Sequence, residues 1–469
     1  MKDYIQIIED NKENLFKTIG ELVAIRSVAG EAVGDMPFGE GVQKALDYTL
    51  SMAEKDGFVV KNVDNYGAHI DFPGETDDIV AMVGHLDIVP EGDLSNWNTD
   101  PFKCEVIDGK MYGRGVLDDK GPVVIGYYAM KALREAGFKP NKTIRIILGC
   151  DEEDAWEGMN YYMAREKAPV AGFSPDADFP PIYAEKGLIQ FALKKTIDNA
   201  SKEGIALLSL EGGSVPNAVP DSAVAKLRTG ESFDIIKKTL EDVASKCNYD
   251  VTFDGDENLL TITVKGVSAH AAHPSLGVNA ISIIFKLLGL VEFANADVND
   301  VVKFYNENVG FNLHGDNAGC GLEDEPSGKQ SYNAGLIKID ADEFILTVDS
   351  RFPVTCEVED VYKGIESHAA ANGLTVERLD YLAPLYKPID DPLVVTLMES
   401  YKNYTGDTEA KPLVIGGATY ARAVPNTVAF GPVMPGLDDM CHQPNEYMRV
   451  SDIMTSAKIF AEVLYKLAK

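Results

Sequence analysis

The run from Ile79 to Pro90, IVAMVGHLDIVP, constrains this chain more than any other stretch. Its first five residues are apolar and bounded by turn formers, the pattern of a fully buried strand. Gly84, His85 and Asp87 follow directly. Two residues apart on an extended backbone, His85 and Asp87 point to the same side. An imidazole and a carboxylate presented together at the end of a buried strand suit a metal ligand beside the acid that orients it. On this stretch alone, a hydrogen-bonded histidine and a helix cap fit as well.

The theme recurs downstream. Tyr112 to Pro122, YGRGVLDDKGP, sets the paired carboxylates Asp118 and Asp119 among Gly113, Gly115 and Gly121. Glycine permits the backbone geometry that aims a carboxylate closely. A helix is expected over 123–136 and a second buried strand over 143–148. That strand leads into Asp151, Glu152, Glu153 and Asp154, and Phe173-Ser174-Pro175-Asp176 adds a carboxylate in a Pro-bounded loop. Alone, each acidic pair reads as a polar loop or a capped helix. Their succession after core strands matters more, because sites in open α/β sheets collect at the C-terminal strand edges.

The rest of the pattern sets the domain plan. Helices are expected over 4–25 and 42–56, strands over 58–63 and 68–72, and an irregular loop over 91–102. From residue 188 the texture changes to alternating strands at 189–194, 259–264 and 344–348, with helices at 233–245 and 280–293. That is an α+β domain of about 195 residues. Helical texture returns at 393–404, followed by the Gly-rich run Ile415 to Tyr420, His442, and a C-terminal helix from Ser451 with one apolar stripe. The expected fold is therefore α/β, a domain in two parts (1–187 and 383–469) with an α+β domain (188–382) inserted.

Composition excludes several classes. Lys and Arg number 43 against 74 Asp and Glu, a formal charge of −31, which disfavours nucleic acid and fits a carrier of divalent cations. The six cysteines form no CxxC pair, which argues against a disulfide framework or a Cys-type zinc site. The N-terminus is amphipathic and acidic rather than a signal peptide, and no apolar run reaches membrane-spanning length. The expected location is the cytoplasm, with no membrane association.

Only seven histidines occur, so their neighbourhoods are informative. His85 and His442 both fall in the expected α/β domain. With Asp118, Glu153 and Asp176 they would make two metal sites sharing one carboxylate. Paired ions about 3.5–4 Å apart polarise a carbonyl and deliver a hydroxide at neutral pH. Glu152, beside a ligand without being one, suits the general base. Asp87 would hold His85 through its other ring nitrogen.

HLDIVP, GRGVLDDKG, DEED, FSPDA and the late His442 in MCHQPNE together resemble the dinuclear zinc peptidase family of aminoacylases, carnosinase and carboxypeptidase G, and most of all its PepV-type bacterial dipeptidases. The resemblance runs over nearly the whole chain. It implies Asp118 as the bridging ligand, His85 and Asp176 completing one site, and Glu153 and His442 the other. It implies Glu152 as general base and Asp87 as orienting acid. The inserted domain becomes a lid, whose Gly266 to His270 resembles the segment with the oxyanion-stabilising histidine. Asn217 in VPNAVP and Arg351 in DSRFP resemble residues that hold the substrate's C-terminal carboxylate, a task suited to a guanidinium. The Gly416 to Tyr420 run resembles a pocket-lining loop, with Gly417 and Thr419 as contacts. Two divalent ions are implied, zinc foremost, with manganese or cobalt also suited. The enlarged lid implies that His270 acts in cis in a monomer.

The resulting expectation is a metal-dependent dipeptidase acting on small peptides with a free C-terminus. An N-acyl amino acid deacylase or desuccinylase would use the same chemistry. A catalytically silent scaffold would have lost one of His85, Asp118, Glu152, Glu153, Asp176 or His442, and all are present.

Overall fold

A computed structural model describes residues 2–198, 204–256, 258–437 and 440–469. The chain divides into two compact units: Met1–Tyr183 with Lys387–Leu413 and Ala418–Lys469, and Ala184–Tyr386 with Val414–Gly417. The second unit thus begins and ends a few residues outside the expected 188–382. It also takes in a piece of the Gly-rich run expected in the other domain. Hydrogen bonds explain that transfer, since Arg351 donates to Gly416 O at 2.8 Å and the Lys186 amide donates to Ile415 O at 3.0 Å.

In the first unit, α1 (Tyr4–Asp10) starts at Asp3, whose carboxylate accepts from the Ile5 and Gln6 amides. It is followed by α2 (Lys12–Val23), α3 (Gly39–Lys55), β1 (Val59–Val63), β2 (Gly67–Phe72) and β3 (Thr76–His85). Next come β4 (Glu105–Ile107), β5 (Lys110–Tyr112), α4 (Lys120–Glu135), β6 (Lys142–Gly149), α5 (Glu157–Met163) and β7 (Ala171–Ser174). The main sheet runs β1-β2-β6-β3-β7 and continues to the strand Thr427–Ala429. Pairing is antiparallel at β1–β2 and β2–β6 but parallel from β6 through β3 and β7 to Thr427–Ala429.

The organising strand is buried on both faces. Ile79, Ala81 and Val83 join one core with Ile147, Met159 and Tyr162. On the other face β3 meets α4 so closely that a Cβ on Gly126 would lie 2.0 Å from Met82 Sδ. Burying each such aliphatic side chain stabilises by about 1.5–3 kcal/mol. α4 begins at Lys120, three residues before the expected start. Lys120 is fully buried and donates to Leu22 O at 3.2 Å and Ile25 O at 2.6 Å, which caps the end of α2.

Three short strands had no periodic signal. Tyr447–Arg449 pairs antiparallel with β5, which in turn pairs with β4. This ladder brings the segment before Tyr447 alongside the turn after Tyr112.

The second unit is built on an eight-stranded sheet, antiparallel throughout its pairings, in the order Asp250–Gly255, Leu260–Lys265, Ser222–Arg228, Ala206–Gly212, Ser331–Ile339, Glu343–Phe352, Gly187–Thr196, Thr375–Leu382. Helices Phe233–Lys246, Ala280–Leu288, Ala296–Phe304 and Val358–Ala371 share its core. The helix expected over 280–293 stops at Leu288, where Asn306 Nδ2 takes the Phe285 carbonyl at 2.8 Å.

Inside the first unit, His69 on β2 is 3% exposed and its Nδ1 lies 2.8 Å from Tyr162 Oη. Burial, reinforced by the Arg145 guanidinium, pushes its pKa down to about 4. The unfolded chain takes up this proton near the ordinary value of about 6.5. Stability from neutral His69 is therefore complete above about 6.5 and lost as pH falls towards 4, a term on the order of 3 kcal/mol. Urea unfolding at pH 7 and pH 5 is expected to show a larger loss in the native chain than in His69→Gln. Equal losses would contradict this account.

Candidate metal centre

The parallel register places three chain segments at one level. His85 at the end of β3 pairs with Gly149 at the end of β6, and Met82 pairs with Phe173 on β7. Continuing past the strands, the chain delivers Glu152 and Glu153 from one side and Asp176 from the other. Asp118 arrives from the glycine-rich turn before α4, through a cis Asp118–Asp119 peptide.

Five side chains predicted as ligands converge in the first unit. His85 Nε2 lies 3.0 Å from Asp118 Oδ1 and 3.8 Å from Asp176 Oδ2. His442 Nε2 lies 3.1 Å from Asp118 Oδ2 and 3.0 Å from Glu153 Oε2. Donor atoms of His85, Asp118 and Asp176 all lie within 4.8 Å of one another, as do those of Asp118, Glu153 and His442. Asp118 is common to both groups, one oxygen facing each imidazole.

Supporting contacts orient these groups. His85 Nδ1 lies 3.0 Å from the Asp87 carbonyl and 3.5 Å from Asp87 Oδ1. The other Asp87 oxygen accepts the Glu153 amide at 3.0 Å, so this acid supports both segments. Asp119 Oδ2 accepts the His85 amide at 3.0 Å. The Asp151 carboxylate accepts the Gly158 amide, and Glu152 O accepts Trp156 Nε1 at 2.8 Å, which fixes the acidic turn.

The electrostatics show what the cluster lacks. Although burial opposes charge, Asp118 and Asp87 lift the His85 imidazole well above its ordinary value. Asp118 and Glu153 push His442 up to about 10. Burial, with Asp118 nearby, drives Asp176 well above the usual carboxylate range. Burial likewise pushes Glu152 up to about 8, with Asp118, Glu153 and Asp87 adding to it. Imidazoles drawn towards protonation thus stand beside an Asp176 and a Glu152 that resist ionisation, while against burial the two imidazoles hold Asp118 below the usual carboxylate range. Together these shifts mark a cluster short of positive charge. Among the described residues the buried Glu153 Oε1 also has no hydrogen-bond partner. Oxygen and imidazole donors in this number suit a divalent transition metal.

The remaining predicted residues fall on both units. Thr419 is buried in the first unit, at the start of the Tyr420–Ala423 turn. Asn217, His270, Arg351 and Gly417 belong to the second. There the Ala271 amide donates to Asn217 O at 2.9 Å, so Asn217 and His270 sit on paired segments. Burial and the Arg351 cation lower the His270 pKa, which favours its neutral form. Arg351 is 4% exposed, and its Nε and Nη2 donate to Asp349 at 2.7 and 3.1 Å.

Three supporting residues went unassigned in the sequence. Asp119, Asp349 and Glu446 each lie inside a motif already singled out. Asp119 and Glu446 act through hydrogen bonds to distant backbone, and Asp349 through Arg351 two residues on and Gln190 of a neighbouring strand, which neither spacing nor residue type discloses.

Gly84 shows how tightly the strand end is built. A Cβ there would lie 2.4 Å from Asp119 Oδ2 and 2.5 Å from Val123 Cγ2. Gly84→Ala is expected to cost about 1–3 kcal/mol in urea unfolding. An unchanged midpoint would show that Asp119 can move aside freely.

Comparisons with known proteins bear on this geometry. Residues 81–466 match the model of peptidase family M20/M25/M40. A Bacillus subtilis (strain 168) protein named "Putative dipeptidase YtjP" is 34% identical over 466 residues, covering 98% of each chain. A Staphylococcus epidermidis protein named "Putative dipeptidase" is 34% identical over 468 residues, covering 98% of this chain and 97% of its own. Among solved structures, aminoacylhistidine dipeptidase from Vibrio alginolyticus has a TM-score of 0.60 at 16% identity, over 97% of this chain and 96% of its own. Human carnosine dipeptidase 1 has a TM-score of 0.54 at 16% identity, over 99% and 98%. These two solved structures share the fold. Among the described residues no helix is long and apolar enough to cross a membrane.

Proposed function

We propose that this chain, which belongs to peptidase family M20/M25/M40 and is therefore a metal-dependent peptidase, is a dipeptidase acting on dipeptides with a free C-terminus. The carrying observation is the convergence of His85, Asp118 and Asp176, and of Asp118, Glu153 and His442, on two overlapping points. The dipeptidase names of relatives alignable over nearly the whole chain support the substrate class.

In this reading each group holds one divalent ion, zinc by preference, with Asp118 shared between them. Ions so held would polarise the scissile carbonyl and acidify water beside it. Glu152 takes the proton from the attacking water on a carboxylate oxygen and returns it to the leaving amine. Its place among Asp118, Glu153 and Asp87 supports that role, because a general base works best when its proton affinity is raised towards neutral. Asp87 holds the His85 ring through Nδ1 so that Nε2 is directed into the cluster.

The second unit is assigned the role of a lid by the family resemblance, and His270 that of oxyanion donor. Asn217 and Arg351 are assigned to the substrate's terminal carboxylate, and the Gly416 to Tyr420 run, with Gly417 and Thr419 as contacts, to lining the pocket. Support within the second unit comes from Arg351, where Asp349 and Gly416 O engage three of the five guanidinium N–H groups and, among the described residues, leave two to bind an anion. The same reading makes the protein a cytoplasmic monomer.

The test is hydrolysis of a panel of dipeptides, tripeptides and N-acetyl or N-succinyl amino acids by metal-depleted protein with zinc or manganese restored. Metal-restored cleavage of dipeptides alone is expected, with kcat for Glu152→Ala lower by about 10²–10⁴-fold. Cleavage confined to acylated amino acids would replace the dipeptidase reading with a deacylase.

A further inference from the structure

A buried carboxylate outside the ligand set ties two of the ligand-bearing segments together. Glu446 is 0% exposed, four residues beyond His442. Its Oε1 accepts three backbone amides of the turn that carries Asp118: Gly115 at 3.0 Å, Leu117 at 2.8 Å and Asp118 itself at 3.2 Å. Its Oε2 accepts Arg114 Nη1 at 2.7 Å, and its backbone carbonyl accepts the Gly113 amide at 3.1 Å.

Arg114 closes the loop from the other side. Only 2% exposed, it donates from Nη2 to His442 O at 3.3 Å, and its guanidinium lies 5.3 Å from the Trp97 ring centroid. His442 has a φ of 63°, a conformation that side chains other than glycine rarely adopt without support. Asn445, at φ 62°, is held by its own contacts, accepting the Asn98 amide at 2.7 Å and donating to Asn96 O at 2.9 Å.

We infer that Glu446, with Arg114, is a positioning residue that sets the His442 loop against the Asp118 turn and thereby preorganises the group Asp118, Glu153 and His442 for its ion. The inference rests on the metal assignment proposed above. Its physical basis is that one carboxylate receives only donors. In Glu446→Gln the amide must turn an NH₂ either to the three backbone N–H groups or to Arg114, donor against donor in both cases. The turn and the loop then lose their common anchor while all five ligands remain.

The experiment titrates the metal-depleted protein with Zn(II) against a competing chelator and records the visible spectrum of the Co(II) form. Native protein is expected to bind two ions. Glu446→Gln is expected to bind one of them about 10–100-fold more weakly, with an altered Co(II) spectrum. Asp71→Asn breaks a different buried arginine pair, Arg145–Asp71, on β2 and β6. It should lower the urea midpoint and leave Zn(II) affinity unchanged. Native-like affinity and spectrum in Glu446→Gln would overturn the inference, as would an equal loss in Asp71→Asn, which would point to general destabilisation. Should Glu446→Gln fail to fold, Arg114→Lys carries the test. It keeps the charge but loses the fork, so weaker Zn(II) binding supports the inference and unchanged binding overturns it. A native chain that binds no Zn(II) would instead overturn the metal assignment itself.

Discussion

Carboxylates crowded together at a buried sheet edge, their donor atoms within 4.8 Å of one another in each ligand group, repel, and the first unit is arranged around that repulsion. Asp87, Glu152, Glu153 and Asp176 are drawn together because three segments leave β3, β6 and β7 at one level, and Asp118 joins them from the turn before α4. His85 and His442 supply the cluster's own counter-charge, and each is pulled towards its protonated form by the carboxylates facing it. A divalent cation relieves the same repulsion with fixed geometry, because it demands ionised acids and neutral imidazoles as donors. Charge balance and catalytic chemistry therefore ask for the same occupant.

Holding such a cluster requires a support that cannot relax. Close packing supplies part of it: neither Gly84 nor Gly126 leaves room for a methyl group between β3 and α4. Buried hydrogen bonds supply the rest. Lys120 fastens α4 to the end of α2, Asp87 joins the His85 strand to the Glu153 turn, and Glu446 gathers the Asp118 turn. Each of these polar side chains is fully buried, and each hydrogen-bonds backbone groups of another segment.

The second unit treats its own charge in the same manner. Arg351 is almost fully buried, and Asp349 engages one edge of its fork. A guanidinium fixed on one side by a carboxylate has lost most of its rotamer freedom before any ligand arrives. Gln190, on the neighbouring strand, donates to the same Asp349 and completes the support.

Hydrophobic periodicity and turn residues made the main strands and helices legible, since these depend on neighbours within a few positions. Strand β3, helix α4 and the C-terminal helix Val450–Ala468 lie close to where the pattern puts them. The short strands β4, β5 and Tyr447–Arg449 left no trace, being too brief for an alternation to register. The candidate site divides along the same line. The residue types capable of holding metal ions, and their order along the chain, are properties of the sequence alone. The tertiary structure alone decided that Asp118 faces both imidazoles, that Glu446 and Asp349 are supports, and that Val414–Gly417 joins the second unit. Apart from the Asp349–Arg351 pair, which lies within one strand, each of those outcomes is a hydrogen bond or close contact between segments far apart in sequence, and no local propensity encodes it.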